Sequence, residues 1–207
     1  MGSLWQGDRV CLRGIEPQDW RAFLEFDLES DDMRHAWQLM PPRSAEGYRR
    51  WAAEAGVAPD AEVFRLTIES LDERAVVGCL NTINPDPHHG TFGYGVAIGR
   101  RFQRRGFARE AVILLLRYMF GERRYQKCNV EIYDTNLASR ALHESLGFTL
   151  EGRRRRDRYY AGGYHDTLLM GLTVEEVATT SARLRAVGLS NSSNKLPDDG
   201  ALRTDDQ

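Results

Sequence analysis

The chain has three cysteines among its 207 residues. Cys11, Cys79 and Cys128 are far apart, odd in number, and free of any CxxC or Cys/His ligand spacing. That excludes a disulfide framework and a zinc motif, and predicts reduced core cysteines and no metal. No apolar run is long enough to cross a bilayer. The segment Met1–Gln6 lacks both a basic flank and an apolar stretch, so no secretory signal is expected and the expected location is cytoplasmic. Charge of one sign is also missing. Twenty-eight Lys and Arg stand against 30 Asp and Glu, a net charge of −2, which argues against nucleic acid or a membrane as partner. No Gly-Lys-Ser/Thr loop is present, so nucleoside-triphosphate chemistry loses its phosphate cradle. No internal repeat is visible.

What is present is enough apolar material for a core, 42% of residues, in a length that suits one domain with a tail. Arg9–Ile15 alternates as a strand. Pro17 opens a helix to about Leu28, with Trp20, Phe23, Leu24 and Leu28 on one face. Met40-Pro41-Pro42-Arg43 breaks the chain, and a second helix is predicted from Ser44 to Ala55. Strands are predicted at Val63–Ser70, Ala75–Asn84 and Thr91–Ile98, separated by polar, Pro- and Gly-bearing turns. A helix follows from Gly106 to Gly121, then a strand at Lys127–Tyr133. Asn136–Leu146 reads as a short helix closed by Gly147. Strands at Phe148–Arg155 and Tyr164–Leu172 complete the order β-α-α-β-β-β-α-β-α-β-β, a mixed α/β sheet with an antiparallel meander. The expected domain covers residues 1–173, with one further helix over 174–187 and a disordered Ser-, Asn- and Asp-rich tail over 188–207.

The most informative stretch is Gln103-Arg104-Arg105-Gly106-Phe107-Ala108, between a strand and a helix. The first turn of a helix leaves N–H groups unpaired, and the macrodipole adds partial positive charge there. Such a turn holds phosphate or pyrophosphate. Gly106 lets the backbone approach an anion without a Cβ in the way. Arg104 and Arg105 add cationic forks.

Gln103-x-x-Gly106-x-Ala108, in this order of elements, resembles the Gln/Arg-x-x-Gly-x-Gly/Ala signature of the GNAT superfamily of N-acetyltransferases. Two further segments carry the resemblance: Asn136-x-x-Ser139-x-x-Leu142 closing in Leu146-Gly147-Phe148, and Gly162-Gly163-Tyr164-His165-Asp166 leading into Leu168–Leu172. The last is similar to the subgroup that acetylates ribosomal-protein N-termini. The resemblance spans roughly Arg9 to Thr173. It implies the GNAT (acyl-CoA N-acyltransferase) fold, acetyl-CoA as co-substrate, and transfer of the acetyl group to an amine. By the same resemblance, two neighbouring strands splay at the cofactor site. Val96, Ala97 and Ile98 of the earlier strand pair with the pantetheine arm. The pyrophosphate rests on the N–H groups from Arg104 through Phe107 to Ala108. Asn136 and Ser139 meet the arm or the thioester, and a homodimer is plausible.

Direct attack by a neutral amine needs a base or water relay, an oxyanion donor and a proton for the thiolate. The splayed strand near Val96–Ile98 would supply the oxyanion donor. His143 stands where many members carry a tyrosine, and Ser139 or a water competes with it as proton donor. A glutamate frequent two positions before the Gly-Tyr of the splayed strand is replaced by Thr91. Glu69, Asp134, His88 and His89 remain as base candidates beside a water relay. The arginine run Arg153–Arg156 with Arg158 suggests either a solvated face or an acidic partner. Tyr159, Tyr160 and Tyr164 read as pocket or packing residues, and Trp37 and Trp51 as substrate contacts or core. The favoured acceptor is a protein or peptide N-terminus. A polyamine, amino sugar or aminoglycoside-like antibiotic is the alternative, which the acidic run Asp27–Asp32 supports. A non-catalytic acyl-CoA-binding module is the rival outside enzymology.

Overall fold

The computed structural model describes residues 2–36, 39–56 and 62–177. Seven strands form one sheet in the order β1-β2-β3-β4-β5-β7-β6: β1 (Val10–Arg13), β2 (Arg65–Ser70), β3 (Ala75–Asp86), β4 (Thr91–Ile98), β5 (Lys127–Tyr133), β6 (Thr149–Tyr160) and β7 (Gly163–Thr173). Among the described residues the helices that accompany it are α1 (Trp20–Phe26), α2 (Ser30–Ala36), α3 (Ala45–Gly56), α4 (Phe107–Arg117) and α5 (Leu137–Ser145), with a helical turn starting at Val174. Every neighbouring strand pair is antiparallel except β4 and β5, which run parallel.

The predicted meander is β2-β3-β4, and the predicted spans of β4 and β5 coincide with the observed ones. Three differences stand out. A helix that the sequence reading did not predict, α2, occupies the acidic run. Asp31 and Asp32 lie in its first turn and Arg34 and His35 in its last, the arrangement that suits the helix dipole. The predicted Gly106–Gly121 helix is α-helical only to Arg117, then widens into a π-turn at Tyr118–Glu122. The strand predicted to end at Arg155 continues to Tyr160, with register shifts between Arg154 and Arg158. The predicted helix over 174–187 begins at Val174–Val177, and the rest of it, with the predicted tail, lies outside the described residues.

The main core lies between the sheet and α4. That helix buries Phe107, Ala111, Val112, Leu114, Leu115 and Leu116 against Val10, Ile68, Leu80, Phe92 and Leu172. Each such large side chain contributes about 1.5–3 kcal/mol. A smaller cluster of Ile15, Phe23, Tyr48 and Ala52 holds α1 and α3. Trp51 belongs here, edge-on to Phe23 at 4.9 Å. Trp37 lies outside the described residues. Cys11, Cys79 and Cys128 are free thiols on β1, β3 and β5.

Candidate active site

The two central strands open the site. β4 and β5 pair only at Thr91–Lys127, Phe92–Cys128 and Gly93–Asn129. A Cβ on Gly93 would stand 2.8 Å from the Asn129 carbonyl oxygen, so glycine permits this last close approach. Beyond it β4 keeps its pairing with β3 up to Gly78–Ile98, while β5 keeps its pairing with β7 up to Tyr133–Thr167. The facing edges of β4 and β5 therefore diverge. A cleft of about 1110 Å³ fills the gap. Strand edges that do not pair with each other leave main-chain donors and acceptors for a ligand.

The turn before α4 closes one end of the cleft. Arg104 (φ 61°) and Gly106 (φ 85°) are left-handed, and such alternation gathers successive N–H groups on one concave side. Gly106 is the N-cap of α4 and offers no side-chain cap, so the first-turn N–H groups remain for an anion. The Arg9 guanidinium donates to the Arg105 carbonyl at 2.8 Å and braces the turn. Gln103, Arg104, Gly106, Phe107, Ala108 and Arg109 line the cleft, as do Val96, Ala97 and Ile98. Arg105 does not. Its guanidinium pairs with Glu73 and lies over the Phe107 ring. Gln103 has its amide occupied, donating to the Ile98 carbonyl at 3.2 Å and to Asp32 at 3.3 Å.

Helix α5 brings the second group of predicted residues to the same cleft. Asn136 caps it, its Oδ1 accepting the Ser139 N–H at 3.0 Å. An Asn136→Ala variant should lose about 1 kcal/mol of stability, read as a lowered denaturation midpoint with unchanged slope. Ser139 and His143 face the cleft one turn apart. His143 is buried, 3% exposed. Its Nδ1 lies 2.7 Å from the Ser139 carbonyl oxygen. A carbonyl only accepts, so Nδ1 carries the proton and Nε2 is the acceptor. The Tyr94 hydroxyl sits 2.8 Å from Nε2 and must donate to it. Burial pushes the His143 pKa below its ordinary value, against the opposing hydrogen bond to Ser139. Burial, aided by Cys128, holds Tyr94 far above the usual phenol value. Both shifts favour the neutral form. Tyr94 is a site residue that the sequence reading missed. The sequence reading met it only as the tyrosine of the Gly-Tyr on the splayed strand and gave it no role; its place one residue past the last parallel pair is what brings it to the cleft.

Two base candidates lie elsewhere. Glu69 on β2 accepts from Arg13 Nε at 2.6 Å, and Asp134 follows β5 beside Arg153, 3.5 Å away, and His165, 3.9 Å away. Neither lines the cleft. His88 and His89 lie side by side, rings tilted at 56°, in the exposed turn between β3 and β4. His165 stacks on Tyr160 at 4.0 Å. The arginine run is largely paired along the β6–β7 ribbon: Arg153 with Asp166, Arg154 with Glu131, and Arg158 with Glu131 and Asp157. Arg154, Arg158 and Glu131 also line the cleft. Among the described residues no group of three or more His, Cys, Asp or Glu side chains is placed to hold a metal ion. No described helix is long and apolar enough to cross a membrane.

Comparison with known proteins agrees with this geometry. Residues 9–149 match the model of the acetyltransferase (GNAT) domain. The SPbeta prophage-derived uncharacterized N-acetyltransferase YokL of Bacillus subtilis (strain 168) is 37% identical over 84% of this chain and 95% of its own length. The [ribosomal protein uS5]-alanine N-acetyltransferase of Escherichia coli (strain K12) is 23% identical over 82% of this chain and 90% of its own. Among solved structures, a GCN5-related N-acetyltransferase from Brucella melitensis superposes with a TM-score of 0.74 at 21% identity, over 88% of this chain and 83% of that one. The spermidine N-acetyltransferase from Vibrio cholerae, in complex with CoA and spermine, superposes with a TM-score of 0.71 at 21% identity, over 82% and 98%. Splayed parallel strands, a helix capped by glycine and these matches have one meaning: the chain belongs to the GNAT family and is an acetyl-CoA-dependent N-acetyltransferase.

Proposed function

We propose that the acceptor is the α-amine of a peptide or protein N-terminus, attacked directly in a ternary complex. The observation that carries this reading is the shape of the acceptor side. A second hollow of about 370 Å³, lined by Arg34, Leu39, Tyr133 and residues 158–161, shares Tyr133 and Arg158 with the main cleft. It offers room and tyrosine surface for residues behind the reacting one. The acidic run is already engaged by the chain's own cations: Asp31 by Arg34, and Glu29 and Asp32 by Arg100. Glu131 is shared by Arg154 and Arg158. A polycation would find few carboxylates left to bind. The Escherichia coli relative named above acts on the alanine of a ribosomal protein, which supports the same reading.

Acetyl-CoA is the co-substrate of the family. The turn 104–108 seats its pyrophosphate, and the β4 edge at Val96–Ile98 receives its pantetheine amides. Attack converts the thioester carbonyl to an oxyanion, which a β4 N–H stabilises before the C–S bond breaks. The test is thiol release from acetyl-CoA with peptides beginning in Ala, Ser or Met, set against spermidine, glucosamine and an aminoglycoside. Higher kcat/KM for a peptide is expected. Faster turnover of spermidine or of an amino sugar overturns the assignment.

A further inference from the structure

We infer that Tyr94 and His143 form one proton relay. It accepts the proton of the attacking amine and returns it to the departing thiolate. The two side chains come from different elements, β4 and α5, and both line the cleft where the strands part. Their rings lie 5.7 Å apart at 26°, with Phe148 edge-on to His143 at 5.0 Å. Packing thus holds the hydroxyl at Nε2. The chain of donors runs one way: Tyr94 O–H to His143 Nε2, and His143 Nδ1–H to the Ser139 carbonyl. The pair can accept a proton only at the Tyr94 oxygen, which passes its own proton to Nε2.

The order of events follows from what burial permits. Amine nitrogen bonds to the carbonyl carbon, and the π electrons move to oxygen. The cationic nitrogen of that adduct gives a proton to the Tyr94 oxygen while the Tyr94 proton moves to Nε2. This leaves a transient imidazolium and an overall anionic adduct. The C=O bond re-forms and the C–S bond breaks, leaving thiolate. Sulfur then takes the Tyr94 proton, and Nε2 refills the hydroxyl. One proton has moved from nitrogen to sulfur and the pair is restored. The reverse order would start from a phenolate, which the buried site disfavours strongly. An imidazolium is also disfavoured there, more mildly, so it is short-lived and returns its proton. Acid and base are then the same two residues, and Glu69 and Asp134 are not required.

The same cleft also holds Asp32, His35, Arg104, Arg109, Glu131, Arg154 and Arg158. Among the described residues, Cys128 on β5 is the group that adds to the effect of burial on Tyr94, and burial raises its own thiol well above the ordinary value. Ser139 faces His143 with a hydroxyl at 3.4 Å.

The first measurement is of the intact protein without substrate. Imidazole 15N shifts of His143 should show the neutral Nδ1–H tautomer at pH 7. An Nε2–H tautomer overturns the relay whatever the acceptor proves to be. The second uses acetyl-CoA with the best amine from the screen above. Tyr94→Phe should lower kcat about 100-fold or more, with CoA affinity within twofold of wild type. Wild-type kcat at saturating substrates should be flat above the ordinary imidazole range and fall as pH drops through the lowered His143 value, because an imidazolium cannot accept the proton. That acidic limb should vanish in His143→Gln. A Tyr94→Phe enzyme with wild-type kcat, or an acidic limb that survives in folded His143→Gln, refutes the proposal. If Tyr94→Phe fails to fold, the tautomer and the His143→Gln profile still decide it.

Discussion

A Gly106→Glu variant is expected to fold and to lose CoA binding by at least about 100-fold, the cost of roughly 2.7 kcal/mol. Three effects act in the same direction. Gly106 sits at φ 85°, where an L-residue is strained by about 1–2 kcal/mol. Its new Cβ would lie 3.3 Å from Arg9 Nη1, and a carboxylate there would draw Arg9 from the Arg105 carbonyl and loosen the turn. The same carboxylate would place negative charge where the turn gathers N–H groups for phosphate. Gly106→Ala carries the strain without the charge, so the gap between the two variants isolates the electrostatic part. Calorimetric titration with CoA, alongside thermal melts to verify folding, makes the measurement. Unchanged affinity in a folded Gly106→Glu protein would remove the pyrophosphate assignment.

The second large effect lies away from the chemistry. Asp19 precedes α1 with a side chain only 3% exposed. It takes two hydrogen bonds from Arg13, at 2.8 and 3.0 Å, one from the Glu16 N–H at 2.9 Å and one from the Thr67 hydroxyl at 3.1 Å. Arg13 also holds Glu69, so the network ties the first helical layer to β1 and β2. Removing Asp19 takes the acceptor from the Glu16 N–H and the buried Thr67 hydroxyl and leaves Arg13 with Glu69 as its remaining carboxylate. Asp19→Ala should cost about 3–5 kcal/mol, a fall in Tm of about 10 °C for a chain of this size. Burial raises the Asp19 pKa, but the Arg13 hydrogen bonds, the Glu16 N–H, the Arg13 charge and Thr67 together outweigh it and hold it below the ordinary value. The unfolded chain therefore binds this proton more tightly. The contribution is full above the ordinary value near 3.9 and is lost as pH falls through the lower folded value. Melts of wild type and Asp19→Asn between pH 6 and 2 should converge at the acid end. Parallel curves would show that Asp19 is not the group responsible.

The network explains why Glu69 was legible as a carboxylate and illegible in its role. Position on a strand identifies its face, and the register that sets Glu69 across from Cys11 brings Arg13 to it. The acidic run behaves alike. A local count of Asp and Glu suggested attraction for a cation, but Arg100, some 70 residues later, already holds Glu29 and Asp32. Gln103 shows the same limit inside the signature itself. Its family position was readable, but not that its amide bridges Asp32 and Ile98.

What the sequence determined by itself was whatever short-range physics controls. Alternation placed β4 and β5, helical spacing placed α4, and Asn136 marked the start of α5. Gly106 after two arginines and before an apolar run marked the turn that opens α4. Each depends on backbone preferences within a few residues. Tertiary structure alone decided which side chains meet: Arg105 turned to Glu73, Asp134 set beside Arg153, and Tyr94 joined to His143 across 49 residues. Such partners depend on strand register and on how a helix docks over the sheet. Those are set by the packing of the whole core, and a local pattern of apolar and polar residues does not encode them.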